Sequence, residues 1–406
     1  MKRGFILLFV AMVTMFEVAA NGEGVATIEI MRGEAVVQDS VRSIATIEHA
    51  SGKYMITIGG NINMKASYDF DGAIDNPDFI TSLIPVPGSY DTRRRFYMDA
   101  TTSRIEIKGL ARDTPIGDVE LCLNSDMRGG SAGSYMPRIR LAYVSFSGWL
   151  VGCAFTAFCD MGAAAPNIDF QGPSVCPYIY TTQVRYDGSL LDDKLTLGGA
   201  VEYHGYSSAT LGGDYLLQSQ YLPNVVGYVE RNWHSSHIRL TGLYKSLPLY
   251  DSATERDVNL DGWAAQLSGS VGVGSFVKVY YSATCGEGVT DYMQDTYGSG
   301  LDVVMSGDVA SRPIMPFLYG WQAAALAQIT DRVMVSAGYS QVSFGGDAAL
   351  YAASDYRRGD YLFGNIFYSL TPRIQLATEY LWGARENVDA SRNTANRINT
   401  MIQYSF

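Results

Sequence analysis

Apolar residues recur at every second position along most of this chain. In "RIEIKG", Ile105 and Ile107 share one face, and Arg104, Glu106 and Lys108 share the other. In "DVELCLNSD", Val119, Leu121 and Leu123 alternate with Asp118, Glu120, Asn124 and Asp126. "RVMVSAGYS" sets Val333, Val335, Ala337 and Tyr339 against small or polar residues. "RIQLATEYLWG" sets Ile374, Leu376, Tyr380 and Trp382 against Gln375, Ala377 and Glu379. A period of two means strands whose two faces meet different surroundings. About sixteen such segments occur. They begin near Tyr54, Arg95, Gly117, Arg138, Trp149, Tyr178, Lys194, Val225, Ser236, Asn259, Ser275, Pro316, Arg332, Asp360, Pro372 and Thr394.

The connectors alternate in length. Short ones include "RDTPIG", the "SG" before Trp149, "WHSS", "VGVG", "ITD" and "LTP", with "DGSLLDD" slightly longer. Long ones cover 71–94, 127–137, 160–177, 206–224, 247–258, 286–315, 345–359 and 384–393. Tight turns on one rim and long loops on the other predict an all-β fold. It is a transmembrane β-barrel of about 16 antiparallel strands, with long extracellular loops and short periplasmic turns. A soluble β-sandwich also alternates, but its wet face carries many Lys and Glu, and its loops do not sort into two sets.

The last ten residues, "RINTMIQYSF", carry the same alternation to the end of the chain, with Ile398, Ile402, Tyr404 and Phe406 on one face. Terminal residues of soluble domains usually fray. A barrel's last strand must close on its first, because open edges are not tolerated in lipid. Ile402, Tyr404 and Phe406 form the C-terminal assembly strand. It resembles the signal read by the barrel-assembly machinery during insertion into outer-membrane lipid.

The first residues change the picture of where the chain works. Lys2 and Arg3, the apolar run 4–16 and the small residues Val18, Ala19 and Ala20 predict a signal peptide over 1–20, cut after about Ala20. No later stretch of 18 apolar residues follows, so strands are the only means of crossing a membrane. Residues 21–53 are read as a periplasmic N-terminal segment, and 54–406 as the barrel. The expected location is the outer membrane of a diderm bacterium. A net charge of −11 offers no footprint for nucleic acid. Charged residues make up 17% of the chain, against about 25% in ordinary soluble domains.

Family resemblance appears at "YDFDGAIDNPDFITSLIPV", Tyr68 to Val86, and at Arg138 to Gly188. There an Arg-x-Arg strand (Arg138, Arg140) is followed by Asp-Phe-x-Gly-Pro at 169–173 and by Val184-Arg185-Tyr186. With the C-terminal stretch from Thr371, these segments resemble the DcaP-like porins. The resemblance implies a sixteen-stranded, homotrimeric porin passing small, mostly anionic solutes by passive diffusion, with no cofactor and no enzymatic step.

Charge at the lipid face in mid-membrane costs roughly 2–4 kcal/mol for Arg or Lys, so charged strand residues should face the lumen. On that rule Arg104, Lys108, Arg138, Arg140, Arg185 and Arg397 line the pore, as do Arg239 and Lys245. The third long loop, 159–177, is expected to fold inward as in porins. Asp160, Asp169, Phe170, Gly172 and Pro173 on it then face the Arg cluster and form the constriction, favouring dicarboxylate-like anions. The competing reading is that these Arg residues merely neutralise Glu120, Asp126 and the loop acids.

Of five Cys, Cys159 and Cys176 flank this loop and either pair across it or remain small, partly buried thiols, which spacing alone does not decide. His234 and His237 make an H-x-x-H in a short turn without a third ligand, and read as a structural pair rather than a metal site. No metal is expected. Tyr68, Tyr143, Tyr186, Tyr280, Tyr339, Tyr380, Trp382 and Tyr404 are candidates for membrane-interface or subunit contacts. Two other functions are open to such a barrel. One is a structural or adhesive surface barrel without an open pore. The other is a barrel enzyme, for which His204 is the only strand-end candidate.

Overall fold

The computed structural model describes residues 27–29, 42–131, 134–191, 194–205, 211, 214–305 and 312–406. The predicted leader, 1–20, lies outside the described residues. Sixteen strands build one closed antiparallel barrel. They start with β1 (Tyr54–Asp71), β2 (two runs, Arg95–Asp99 and Arg104–Thr114), β3 (Gly117–Asp126) and β4 (Arg138–Phe146). Next come β5 (Trp149–Phe155), β6 (Tyr180–Leu190), β7 (Leu195–Tyr203) and β8 (Asn224–Trp233). They continue with β9 (Ser236–Asp251), β10 (Arg256–Val273), β11 (Val277–Glu287) and β12 (Phe317–Thr330). The last four are β13 (Val333–Phe344), β14 (Tyr356–Ser369), β15 (Ile374–Asn387) and β16 (Arg392–Ser405). β16 closes on β1, from Ser405 opposite Asn61 to Asn396 opposite Asp71.

The alternation sorts as expected. On β16, Arg397, Asn399, Gln403 and Ser405 are buried inward, while Ile402 and Tyr404 stand 43% and 45% exposed on the outside. On β9, Ile238, Leu240 and Tyr244 face out, and His237, Arg239, Thr241 and Lys245 face in. Phe406 and Gly60 exchange two backbone hydrogen bonds of 2.9 Å. A Cβ on Gly60 would lie 2.4 Å from the Arg104 carbonyl and 2.8 Å from the Phe406 ring, so the closing seam requires glycine there. A strand at Arg42–Glu48 pairs with β1 beside this seam, extending the sheet past the end of β16.

Two expected loops are instead strand. β9 and β10 run on to Asp251 and from Arg256, and β15 and β16 to Asn387 and from Arg392, leaving four-residue turns where long loops were predicted. Chain fills the lumen beside these extensions: on β9 the inward side chains there are apolar, while on β15 and β16 Arg385 and Asn393 bond loop 1 (72–94) at the Ser82 and Pro85 carbonyls. Leu247 and Leu249 pack on Val303, and Leu381 and Ala395 pack on Ile74 and Phe79.

A bulge in β4 breaks the simple period. Asn124 faces Leu141 and Ser125 faces Ile139, so Arg140 is the extra residue. Arg140 and Leu141 both point inward, and Tyr143 follows them into the lumen. Tyr143 is therefore not on the outer face as strict alternation places it. Tyr280, 8% exposed, is inside as well. Tyr68, Tyr186 and Tyr380 are outside, at 37%, 44% and 43% exposure.

Candidate constriction site

Loop 3 (156–179), between β5 and β6, follows the inner wall instead of standing above it. Asp160 accepts Ser268 Oγ at 2.6 Å and sits 2.9 Å from His237 Nε2. The Ala163 carbonyl accepts Gln322 at 3.2 Å, and the Pro166 carbonyl accepts Ser336 and Asn365 at 2.9 and 2.8 Å. The backbone N–H groups of Ile168 and Asp169 donate to Glu379 at 2.9 and 2.8 Å. The loop thus spans from β9 to β15 around one half of the wall. It then turns at Gly172, whose φ of +66° lies where side chains are strained.

Its back is apolar. Ala157, Phe158, Val175 and Ile179 join Tyr292, Met293 and Leu301 of loop 6 (288–316) in a core against β7–β13. Loop 6 is tied to the wall by Lys245, whose Nζ lies 2.7 Å from both carboxylate oxygens of Asp291. Loop 1 (72–94) is tied by Arg397, which grips Asp69 at 2.5 and 3.0 Å and donates to the Pro77 carbonyl at 3.1 Å. Arg397 does face inward, but at 1% exposure it anchors loop 1 and offers no charge to the lumen.

What remains open lies against β2–β6. A cavity of about 260 Å³ is lined by Arg104, Arg140, Tyr180, Phe155 and the loop 3 residues Met161, Ala164–Asn167, Asp169, Phe170 and Gly172. Arg138 makes a paired contact with Asp126 at 3.0 and 2.5 Å, and Arg140 donates to Tyr180 Oη at 2.7 Å. The Phe170 ring sits among three guanidinium groups, 4.4 Å from Arg128, 5.6 Å from Arg138 and 5.8 Å from Arg140. Each cation is drawn to the ring face. Beside this lies a second cavity of about 490 Å³ lined by Arg185, Arg239, Glu230, Asp160 and His237. Arg185 pairs with Asp187 at 3.0 Å, and half-exposed Lys108 with Glu106 at 3.2 Å.

The loop acids do not oppose the Arg cluster as expected. Asp160 is turned to His237 and Ser268. Asp169 reaches the edge of the smaller cavity, but its carboxyl accepts Phe79 N–H and Tyr361 O–H, both at 3.1 Å, and is 1% exposed. Burial pushes Asp169 up to about 7, with Asp78 and Glu379 adding to the rise against the pull of Lys65. In loop 1, burial alone would raise Asp78, but Arg128 at 2.5 Å holds it below the usual carboxylate range. No disulfide joins Cys159 to Cys176. Both thiols are buried, and burial pushes Cys176 up to about 12. The Pro173 carbonyl accepts Cys176 N–H at 3.0 Å, closing the loop's turn.

Alternation could not reach Arg128 or Tyr180, which act from loop 2 (127–137) and from a strand end. Glu379 was legible as an inward acid on its strand, yet a count of basic residues alone passes over it.

Residues 38–216 match the DcaP outer membrane protein family. The outer membrane channel DcaP of Acinetobacter baumannii is 22% identical, with a TM-score of 0.74 over 87% of this chain and 97% of that one. An anion-selective porin from Comamonas acidovorans is 12% identical, with a TM-score of 0.55 over 87% of this chain and all (100%) of the other. OmpT of Vibrio cholerae in a trimer form is 12% identical, with a TM-score of 0.54 over 87% and 99%. Among curated protein sequences none matches this chain.

Proposed function

We propose that this chain is an outer-membrane channel of the DcaP type, a passive pore for small hydrophilic anions, dicarboxylate-like ones foremost. It is a channel and not an enzyme. The observation that supports anion preference is the asymmetry of the passage. One side presents Arg104 and Arg140, with Arg138 next to them on β4 and paired to Asp126, and with Arg185 beyond. The other side is loop 3, whose carboxyls are tied back into the wall. Inside a narrow, low-dielectric wall the local charges outweigh the chain's net −11. Asp126 and Asp187 neutralise part of this charge, so a moderate preference is expected rather than strict exclusion of cations. A dicarboxylate suits the site because guanidinium groups bind carboxylates in paired hydrogen bonds.

The test is the reversal potential of single channels across a KCl gradient. The wild type should favour chloride. Arg138→Ala with Arg140→Ala should shift the potential toward zero, and dicarboxylates should block the wild type more strongly than the double variant. A cation preference in the wild type, or an unshifted potential in the variant, overturns the reading. Complete absence of conductance would favour a loop-filled surface barrel instead, a reading given some weight by the packing of loops 1, 3 and 6 inside the lumen. The same proposal includes assembly as a homotrimer, with the short-turn rim and the strand at Arg42–Glu48 in the periplasm.

A further inference from the structure

Three ligating side chains meet on the inner wall in the larger cavity, which Arg185 and Arg239 also line. Asp160 opens the inward run of loop 3, Glu230 lies on β8 and His237 on β9, and their ligand atoms all fall within 4.8 Å of one another. His237 Nε2 stands 2.9 and 3.1 Å from the two Asp160 oxygens. Its other ring nitrogen, Nδ1, is 3.0 Å from Ser270 Oγ. Such a partner fixes an imidazole and aims its other nitrogen, here Nε2 toward Asp160, as at metal sites generally. The Asp160 carboxyl is fixed in turn by Ser268 Oγ at 2.6 Å and Gly162 N–H at 3.0 Å. Glu230 accepts Asn232 Nδ2 at 3.0 Å, and its side chain is 22% exposed.

We propose that Asp160, Glu230 and His237 form a binding site for a divalent transition metal, zinc above all. One imidazole with two carboxylates suits Zn²⁺ better than Ca²⁺ or Mg²⁺, which take oxygen ligands. Zinc bonds of about 2.0–2.2 Å set neighbouring ligand atoms roughly 3.4 Å apart. Asp160 and His237, at 2.9 and 3.1 Å, need to open by only a few tenths of an ångström as the ion replaces the hydrogen bond between them. Glu230 needs to close by roughly an ångström, which its partly exposed side chain allows by a rotamer change. All three residues line the cavity of about 490 Å³, which gives the ion entry and leaves room for a water ligand. Arg239 lies 3.9 Å from Glu230, but its guanidinium is occupied by the Tyr228 ring at 3.5 Å, Thr241 and the Ala157 carbonyl. Its charge makes this site weaker than a closed structural zinc site. The bound ion would tie the start of loop 3 to β8 and β9.

The sequence points to His234 with His237. The turn sends His234 outward and His237 inward, and the partners of His237 come from 77 residues earlier and from the neighbouring strand.

Detergent-solubilised full-length protein titrated with Co²⁺ tests this by visible d–d absorption. One Co²⁺ per chain, displaced by Zn²⁺, is expected. His237→Ala and Glu230→Gln should each weaken binding by about tenfold or more, and His234→Ala should leave it unchanged. Because His237 also holds Asp160, its variant tests folding too; Glu230→Gln then decides alone. No absorption at millimolar Co²⁺, or equal binding in Glu230→Gln and wild type, overturns the site. The readout is independent of ion flow.

Discussion

Asp169 shows how much one inward residue can carry. Its backbone N–H bonds Glu379, its carboxyl takes Phe79 N–H and Tyr361 O–H, and the neighbouring Phe170 reaches back to three arginines. Its folded-state value rises from 3.8 to about 7, through burial first and then Asp78 and Glu379. A raised value means that its contribution to seating loop 3 is full below the unfolded value near 4 and is lost as pH rises through about 7. The detergent-solubilised barrel should therefore melt higher at pH 5 than at pH 8, and Asp169→Asn should flatten that difference. An Asn keeps the shape and the Phe79 bond without the charge. An unchanged pH slope in the variant would remove Asp169 from this role. The side on which Arg138 and Arg140 lie was legible from alternation, because charge avoids lipid. Which of the inward charges border a cavity was not, since Arg397 and Lys245 are consumed by loops distant in sequence.

Among the elements, the seam between β1 and β16 depends most directly on the sequence pattern. The final alternation predicted a closing strand, and Ser405 lies opposite Asn61 in the same ladder that Phe406 continues with Gly60. Gly60→Val would set a branched side chain into a space where a Cβ already meets the Arg104 carbonyl at 2.4 Å. The expected outcome is loss of the heat-modifiable folded band in cold SDS gels, whereas Gly227→Ala, with nothing within 4 Å of its Cβ, should retain it. Equal folding of the two variants would count against the seam's tight fit. Loop lengths were legible only where polar turns mark them. At 247–258 apolar inward residues continue the strands because loop 6 gives them something apolar to face, and at 384–393 Arg385 and Asn393 continue them by bonding loop 1 carbonyls. The β4 bulge left no mark in the pattern. It exchanges the faces of every residue beyond Arg140, and Tyr143 with them.

Taken whole, the molecule is a barrel with an apolar outside and an inside half filled by its own loops. Ile238, Leu240, Tyr244, Ile402 and Tyr404 are all more than a third exposed on the outer face. Mature protein should need surfactant or lipid to stay folded and dispersed. In planar bilayers it should give small conductance steps, grouped in threes if the trimer forms. A folded monomer in plain buffer would contradict the barrel itself. Local order along the chain determined the strands, their number, the closing end and, outside the β4 bulge, most of their two faces, since a period of two and the exclusion of charge from lipid act on neighbouring residues. Only the tertiary structure decided where the cavities lie, which arginines border them, and that the carboxyls of loop 3 turn to the wall. Those outcomes depend on partners far apart in sequence, such as Asp169 with Glu379 and Asp160 with His237, and no local pattern encodes which buried charge finds which.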